Sequence, residues 1–303
     1  MLSNQELISG NFPRIKHSDK IEYMKNSWSG NTVFKFQTQQ DTFLVKIIKD
    51  NQTKDSIEEK LNLLSSNNIK TAKLMHFEKS VCNNYSCYYY QFLDALSIND
   101  FIKTADIYEL GKKAGEILVR LKNSPYPKTW KPFNLTRYHN GFLIRLNQVA
   151  TDFPQIFKEL NITKEMLTQQ LNLLLKSFDG IEQKPIHADF GMHNLMLTKE
   201  SQIYVIDIES MELGYDCFNF THNVRFIGNK TEKPYYKGIF EKLFPSGIPQ
   251  YFHNHLKYIA IVNFIRSLHH RELENCPKYK KEKLKYFAEL FKDIFTKQEF
   301  CLL

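Results

Sequence analysis

"KPIHADFGMHNLMLTKESQIYVIDIES", residues 184–210, is the stretch that decides the fold of this 303-residue chain. A loop carrying Asp189 and Asn194 leads into a short apolar run; after a polar turn, a second apolar run ends at Asp207. Two short apolar runs around a polar turn predict a β-hairpin. Because a hairpin brings the loop before its first strand near the end of its second, we expect Asp189, Asn194 and Asp207 to converge on one pocket.

The composition predicts a folded protein without a membrane segment. Hydrophobic residues make up 42% of the chain and aromatic residues 14%, which is enough to build a sizeable core and argues against disorder. The first twenty residues lack the apolar core of a secretory signal, and the longest apolar run, 258–265, is too short to span a bilayer. Five cysteines at irregular spacings form no disulfide framework, so we expect a cytoplasmic location.

The net charge of +8 raises the question of a nucleic-acid partner. The basic residues are spread along the chain, and the densest run, KYKKEKLKYF at 278–287, also carries apolar residues at helical spacing. A solvated helix face explains this run more simply than a nucleic-acid patch. We therefore expect no nucleic-acid partner, although a nucleic-acid binder that uses this helix stays open as a further hypothesis.

The first ninety residues favour strands with one main helix. A helix is predicted at 55–68, with Ile57, Leu61 and Leu64 on one face and Asp55 or Ser56 as its cap. Strands are predicted from β-branched and aromatic runs: TVFKFQT (32–38), DTFLVKII (41–48), TAKLMHFEKS (71–80) and YSCYYYQFLD (85–94).

After Asp94 the pattern changes to helical periodicity, which continues over most of the remaining chain. Gly111 and Gly115 lie one helical turn apart, a spacing that permits close helix packing. We predict an α+β, two-lobe fold, with a small antiparallel-sheet N-lobe over residues 1–93 and a larger, mostly helical C-lobe over residues 94–303.

The side chains of the opening stretch suit phosphoryl transfer. That chemistry needs a carboxylate to accept the proton of the attacking hydroxyl, and oxygen ligands for the Mg²⁺ that bridges the phosphates. Asp189 precedes Asn194 by five residues, the separation of base and metal-binding Asn in a kinase catalytic loop. The Asp-Phe-Gly letters that begin at Asp189 are therefore a coincidence, and Asp207 is the expected metal-binding aspartate.

These residues also carry a family resemblance. The pattern His187-x-Asp189-x-x-x-x-Asn194, followed by Asp207-x-Glu209, resembles the aminoglycoside phosphotransferase and choline kinase superfamily, small-molecule relatives of the protein kinases. The resemblance covers most of the chain, and it implies a protein-kinase-like fold with a nucleotide-binding N-lobe and a C-lobe that supplies the catalytic loop and the substrate pocket. It also implies ATP (or GTP) and Mg²⁺ as cofactors, Asp189 as catalytic base, and Asn194 and Asp207 as metal ligands.

The N-lobe offers a second match. Lys46 lies on the second strand of a predicted hairpin, where a kinase places the lysine that binds the nucleotide phosphates. Glu58 on the following helix is the expected ion-pair partner of Lys46, with Glu59 as the alternative. The phosphate-covering turn is expected around Ser29 and Gly30, although a single glycine departs from the glycine-rich loop of protein kinases.

Other features argue against a protein kinase. Ala188 stands where that class has the arginine of its His-Arg-Asp loop, and Ile208 and Glu209 follow Asp207 where it has Phe-Gly. No Ala-Pro-Glu segment follows. A small-molecule kinase is therefore favoured over a protein kinase.

Three nearby residues have more than one interpretation. His187 favours a structural role, bracing the loop through hydrogen bonds. Glu209 fits either a second carboxylate near the metal or an ordinary surface acid. Asp216 either orients the catalytic loop or caps the helix that follows it, with capping slightly favoured.

The sequence thus predicts an ATP-dependent kinase that phosphorylates a hydroxyl of a small molecule: an aminoglycoside or other antibiotic, choline or another amino alcohol, or a sugar. A polycationic antibiotic would need an acidic pocket, for which the candidates are Glu209, Glu212, Asp216, Glu272 and Glu274. The alternative from another class is a catalytically silent binding module with the same fold.

Overall fold

The computed structural model describes residues 20–23, 32–49, 53–79, 85–103, 105–224, 231–270 and 277–296. Its strands are β1 Lys20–Tyr23, β2 Thr32–Gln37, β3 Thr42–Lys49, β4 Leu74–Lys79, β5 Tyr85–Gln91, β6 Ala95–Ser97, β7 Lys184–His187, β8 Leu195–Thr198, β9 Ile203–Val205 and β10 Met211–Gly214. Its α-helices are α1 Lys54–Ser66, α2 Ile107–Lys122, α3 Leu135–Asp152, α4 Pro154–Glu159, α5 Lys164–Leu175, α6 Lys233–Leu243, α7 Gln250–His269 and α8 Pro277–Thr296.

The chain divides into two compact units. The sheet unit contains the residues up to Leu96 together with Met196–Glu209, and the helical unit contains Ser97–Leu195 and the chain from Ser210 onward. The predicted division at residues 93 and 94 differs from these units, because the β8–β9 hairpin belongs with the N-terminal strands. The main-chain N–H of Val205 donates to the carbonyl of Lys70 at 2.8 Å, which ties this hairpin to the N-terminal part of the chain.

The sheet unit contains a five-stranded antiparallel sheet in the order β1-β2-β3-β5-β4. The predicted hairpin of β2 and β3 is confirmed, and its turn is closed by Thr38, whose Oγ1 accepts from the N–H of Asp41 at 3.0 Å. Strand alternation places one set of side chains in a buried cluster. This cluster contains Phe34, Phe36, Val45, Ile47, Cys87 and Tyr89.

Lys46 points to the opposite face from that cluster. It lies between Val45 and Ile47 on β3, and its register partner on β5 is Tyr88. Because paired residues of adjacent strands share a face, Lys46, Tyr88 and, two residues further, Tyr90 lie on the same side of the sheet.

Helix α1 begins two or three residues earlier than the caps assigned from the sequence would require. Thr53 is the N-cap, and its side chain accepts from the N–H of Ser56 at 3.2 Å. Asp55 and Ser56, the predicted caps, lie inside the first turn, where Asp55 still favours the positive end of the helix dipole.

The buried face of α1 also differs from the prediction. Ile57 and Leu64 are buried as expected, but Leu61 is only partly buried, and Lys60 and Leu63 take the remaining buried positions. A lysine on the buried face of a helix needs an oxygen partner. For Lys60 this partner is the main-chain carbonyl of Glu209.

The helical unit depends on a close contact between α2 and α6, which confirms the prediction for Gly111 and Gly115. A Cβ at Gly111 would fall within the van der Waals radius of the Tyr235 carbonyl, and one at Gly115 would lie 2.8 Å from the Ile239 carbonyl. On the facing helix, Gly238 similarly leaves room for the carbonyl of Tyr108. Only glycine allows backbones to approach this closely.

The basic C-terminal segment forms a helix, as predicted. Residues 278–287 lie within α8, and Leu284 and Phe287 are buried there. Central helix α7 is buried on almost every side and packs against α3 and α5. Within the described ranges, no helix is long and apolar enough to cross a membrane.

We predict that Gly111→Ala lowers the free energy of unfolding by at least about 1–3 kcal/mol, the usual cost of overpacking. The matched control is Gly141→Ala on α3, because a Cβ there has no atom within 4 Å. The control should stabilise the protein by up to about 1 kcal/mol, since alanine is the better helix former. Denaturant unfolding of both variants tests this; equal effects would contradict the packing role of Gly111.

Candidate active site

The loop that carries Asp189 leaves a two-stranded antiparallel ribbon of β7 and β10, in which His187 pairs with Met211. The N–H of Ala188 donates to the carbonyl of Ser210 at 3.1 Å and continues this pairing by one residue. The loop then turns sharply, with the N–H of Gly191 donating to the carbonyl of Asp189 at 2.8 Å. The ribbon therefore fixes where the loop begins.

The structure brings Asp189 and Asn194 together. Nδ2 of Asn194 donates both to the main-chain carbonyl of Asp189, at 2.8 Å, and to its Oδ2, at 3.0 Å. Asn194 is 7% exposed, so its amide group is held in one orientation. Because Nδ2 is used by Asp189, the amide oxygen is the atom that Asn194 can offer to a metal ion.

The Asp189 carboxylate is ionised and only half satisfied. Oδ2 accepts from Asn194 and lies 3.1 Å from Nε2 of His193, whereas Oδ1 is buried and has no hydrogen-bond partner among the described residues. Burial alone would raise the pKa of this carboxyl group, but His193, His222 and His187 outweigh it and lower the pKa to about 2. At neutral pH the group is thus an anion with a free oxygen, as a proton acceptor requires.

Asn219 holds the loop from behind and was missed by the sequence analysis. Its Oδ1 accepts from the N–H of His187 at 2.9 Å, its carbonyl accepts from the N–H of Phe190 at 3.1 Å, and its Nδ2 donates to the carbonyl of Asp216 at 2.9 Å. The two N–H groups lie on either side of Asp189 in the chain. Asn219 is 4% exposed, and it fixes the backbone that presents the carboxylate.

The capping interpretation of Asp216 is wrong, while the structural interpretation of His187 agrees with its surroundings. The helix Asp216–Phe220 begins without a side-chain cap, and the Asp216 carboxylate lies 3.6 Å from Nζ of Lys122. Orientation of the loop falls to Asn219. His187 is fully buried, and its ring lies 3.3 Å from Oγ of Ser210.

Gly191, the third of the Asp-Phe-Gly letters, has a local role. A Cβ at this position would lie 2.6 Å from the ring of His193 and 2.8 Å from Nδ2 of Asn223. Glycine therefore gives both side chains room beside the turn. This packing explains the residue without any metal-binding role for the three-letter pattern.

In the sheet unit, Lys46 contacts two carboxylates. Its Nζ donates to Oδ1 of Asp207 and, at 3.2 Å, to Oε2 of Glu209. Burial lowers the pKa of Lys46, but the charges of Glu209 and Asp207 outweigh that effect and raise it above its ordinary value. Lys46 is thus a permanent cation at neutral pH.

Asp207 adopts a backbone conformation that is uncommon for a residue with a side chain. Its φ angle is +60°, in the left-handed region, at a cost of about 1–2 kcal/mol. Aspartate tolerates this region better than most residues. Strained backbone of this kind is concentrated at functional sites, where it sets the direction of a side chain.

The expected Lys46–Glu58 ion pair is not formed, and this prediction is corrected. Glu58 lies 3.2 Å from Nζ of Lys54, one turn earlier on α1, and its side chain is 46% exposed. The interior position on this helix belongs to Lys60, because Ile57 and Leu64 set which face is buried. Ser29 and Gly30, the expected phosphate-covering turn, lie outside the described residues.

Glu209 is not an ordinary surface acid. Its side chain is 8% exposed; Oε1 accepts from the hydroxyl of Tyr90 at 2.9 Å, and its carbonyl accepts from Nζ of Lys60 at 2.8 Å. The sequence analysis missed Tyr90 and Lys60. The alternation of β5 places Tyr90 on the Lys46 face, which could have indicated the first; the position of Lys60 beside Ile57 could have indicated the second.

The acidic pocket considered for a polycation receives little support. Glu209 is engaged by Lys46 and Tyr90, and Asp216 is paired with Lys122. Glu212 is exposed on β10. Glu272 and Glu274 lie outside the described residues.

Comparison with known proteins identifies the family of this chain. A model of the phosphotransferase enzyme family (APH) matches residues 26–243, which is most of the chain. The chain belongs to this family, and the predicted resemblance is confirmed. A comparison with curated proteins found no match.

Solved structures with the same fold include spectinomycin phosphotransferase APH(9)-Ia in complex with ADP and spectinomycin, with a TM-score of 0.65, 14% identity, and coverage of 98% of this chain and 96% of that one. A microcompartment-associated aminopropanol kinase has a TM-score of 0.67 and 13% identity, with coverage of 95% and 97%. Aminoglycoside phosphotransferase APH(4)-Ia has a TM-score of 0.66 and 11% identity, with coverage of 91% and 95%. At these identities the likeness shows the fold, and it confirms the predicted α+β class.

We predict that Asn219→Ala destabilises the protein by about 2–4 kcal/mol, because it leaves the buried N–H of His187 without a partner and opens a small cavity. Asn147→Ala, at an exposed position on α3, is the control and should change the free energy of unfolding by less than about 0.5 kcal/mol. Chemical denaturation measures both. Equal stability of the two variants would show that Asn219 does not hold the loop.

Proposed function

We propose that this protein is a kinase that transfers the γ-phosphoryl group of ATP (or GTP) to a hydroxyl of a small molecule. Membership of the phosphotransferase family gives the reaction class. The single observation that carries the proposal is the Asp189 carboxylate, ionised and with a free oxygen, in a loop that holds Asn194 beside it.

In this proposal Asp189 is the catalytic base. Its Oδ1 accepts a hydrogen bond from the acceptor hydroxyl, orients the oxygen for attack, and takes the proton as the phosphoryl group is transferred. Asn194 and His193 bind the other oxygen and so restrict the rotation of the carboxylate. Holding the base in a fixed position reduces the entropy lost on reaching the transition state.

Asn194 and Asp207 are the proposed ligands of Mg²⁺. The amide oxygen of Asn194 and the carboxylate of Asp207 are hard oxygen donors, the type that Mg²⁺ prefers. No group of three or more His, Cys, Asp and Glu side chains within the described ranges could hold a metal. Mg²⁺ sites often use one or two protein ligands and complete the shell with water and substrate phosphates. When bound, the ion neutralises negative charge on the phosphates.

Lys46 is the proposed phosphate-binding cation of the nucleotide. It is a permanent cation with a side chain 13% exposed, so it offers a full charge in a partly water-excluded place. On the basis of the sequence pattern, Ser29 and Gly30 are also proposed to contact the phosphates. Glu58 is not part of this proposed site, since its ion-pair partner is Lys54.

The acceptor is a hydroxyl-bearing small molecule. Proteins of the same fold include enzymes for spectinomycin and for aminopropanol, so antibiotics and amino alcohols are candidates here, together with sugars. Near Asp189 the described side chains include the imidazoles of His193 and His222 and, 3.0 Å from His222, the guanidinium group of Arg266. This surrounding favours an acceptor with little positive charge, such as a sugar, over a polycationic aminoglycoside.

The test is ADP formation with Mg²⁺-ATP and single acceptors: glucose, 1-amino-2-propanol, spectinomycin and hygromycin B, with the product identified as a phosphate monoester by ³¹P NMR. We expect acceptor-dependent ADP formation that stops without Mg²⁺ and is slowest with the polycation hygromycin B. Nucleotide binding without turnover on a broader panel of sugars and amino alcohols would contradict the kinase assignment and favour the silent binding module.

A further inference from the structure

Glu209, to which the proposed function assigns no role, makes three polar contacts in the sheet unit. Its two carboxylate oxygens separately contact Nζ of Lys46, at 3.2 Å, and the hydroxyl of Tyr90, at 2.9 Å. Its main-chain carbonyl accepts from Nζ of Lys60 at 2.8 Å. A carboxylate with a partner on each oxygen and a fixed backbone has one orientation, and that orientation faces Lys46.

Glu58 of helix α1 is not the acid that contacts Lys46. The buried polar residue of this helix is Lys60, at 6% exposure, and Glu58 is directed to Lys54 near the solvent. The charges grouped around Glu209 in the sheet unit are the ammonium groups of Lys46 and Lys60 and the carboxylates of Asp207 and Glu209 itself. They balance in number, which limits the cost of removing them from water.

The two carboxylates around Lys46 differ in their surroundings. The side chain of Asp207 is 33% exposed, whereas that of Glu209 is 8% exposed and bound by Tyr90. Burial and the charge of Glu209 both raise the pKa of Tyr90 well above its ordinary value, so the hydroxyl stays a donor at neutral pH. Asp207 is thus the acid that is accessible to a ligand, and Glu209 is the acid that stays in place.

We propose that Glu209, fixed by Tyr90, is the residue that positions Lys46 for the nucleotide, in the place expected for a glutamate of α1. This inference rests on the proposed function, because it assigns Lys46 to the nucleotide phosphates. Glu209 is a positioning residue: it acts through Lys46 and keeps the ammonium group directed when Asp207 serves another ligand. The Tyr90 hydroxyl, in turn, keeps the Glu209 carboxylate directed at Lys46.

The test measures nucleotide affinity directly, with the fluorescent analogue mant-ATP and Mg²⁺, and alongside it KM for ATP and kcat. Glu209→Gln keeps the size of the side chain and removes its charge. We expect it to weaken mant-ATP binding and raise KM for ATP by roughly tenfold or more, the value of a hydrogen bond to a charged group. Tyr90→Phe should act in the same direction by about fivefold, as for a neutral donor, with kcat changed less than KM.

The chain offers a matched control pair on the same strand. Tyr89 precedes Tyr90, and its hydroxyl donates to Oε2 of Glu78 at 3.1 Å, on the other face of the sheet. Tyr89→Phe and Glu78→Gln therefore remove a similar tyrosine–glutamate contact without touching Lys46. They should leave mant-ATP affinity and KM for ATP unchanged, which separates positioning of Lys46 from general loss of sheet stability.

Glu58→Gln is the competing variant. Unchanged nucleotide affinity in Glu58→Gln beside the loss in Glu209→Gln supports the inference. A larger loss in Glu58→Gln than in Glu209→Gln, or wild-type affinity in Glu209→Gln, would overturn it. If Glu209→Gln does not fold, Tyr90→Phe against Tyr89→Phe decides in the same way. Absence of mant-ATP binding by the wild-type protein would instead reject the proposed function itself.

Discussion

An ionised carboxylate that is buried and incompletely hydrogen-bonded costs free energy. The helical unit contains one, that of Asp189. Asp189 stays an anion because three imidazoles outweigh its burial, and it keeps its position because Asn194 binds one oxygen. Asn219 then fixes the backbone on both sides.

In the sheet unit the constrained group is a cation, Lys46, whose side chain is held by acids. Lys46 has two carboxylates within reach, one accessible and one fixed. A single fixed acid would bind the ammonium group as firmly whether or not a nucleotide were present. A second, more exposed acid lets one partner be exchanged for a ligand while the other keeps the side chain directed. The left-handed backbone of Asp207 is consistent with a role of its carboxylate in binding a ligand.

The sequence predicted the features that depend on neighbours along the chain. Alternation identified β2 and β3, and the five-residue spacing identified the contact of Asp189 with Asn194, since both are local. It did not predict Asn219, Lys60 or Tyr90, whose partners lie 32, 149 and 119 residues away. The assignment of Glu58 to Lys46 was wrong. It followed the family pattern, in which a glutamate of this helix pairs with the lysine, whereas the buried face of the helix is set by Ile57 and Leu64.

The most direct measurement is the turnover of Asp189→Asn beside its affinity for Mg²⁺-ATP, on the acceptor that the wild-type protein phosphorylates. Asparagine keeps the size of the side chain and one acceptor oxygen but cannot take the proton. If Asp189 is the base, kcat falls by about 10²–10⁴-fold while nucleotide affinity stays within about twofold of the wild type. Turnover at the wild-type rate, with nucleotide bound as before, would contradict the assignment of Asp189 and the mechanism built on it.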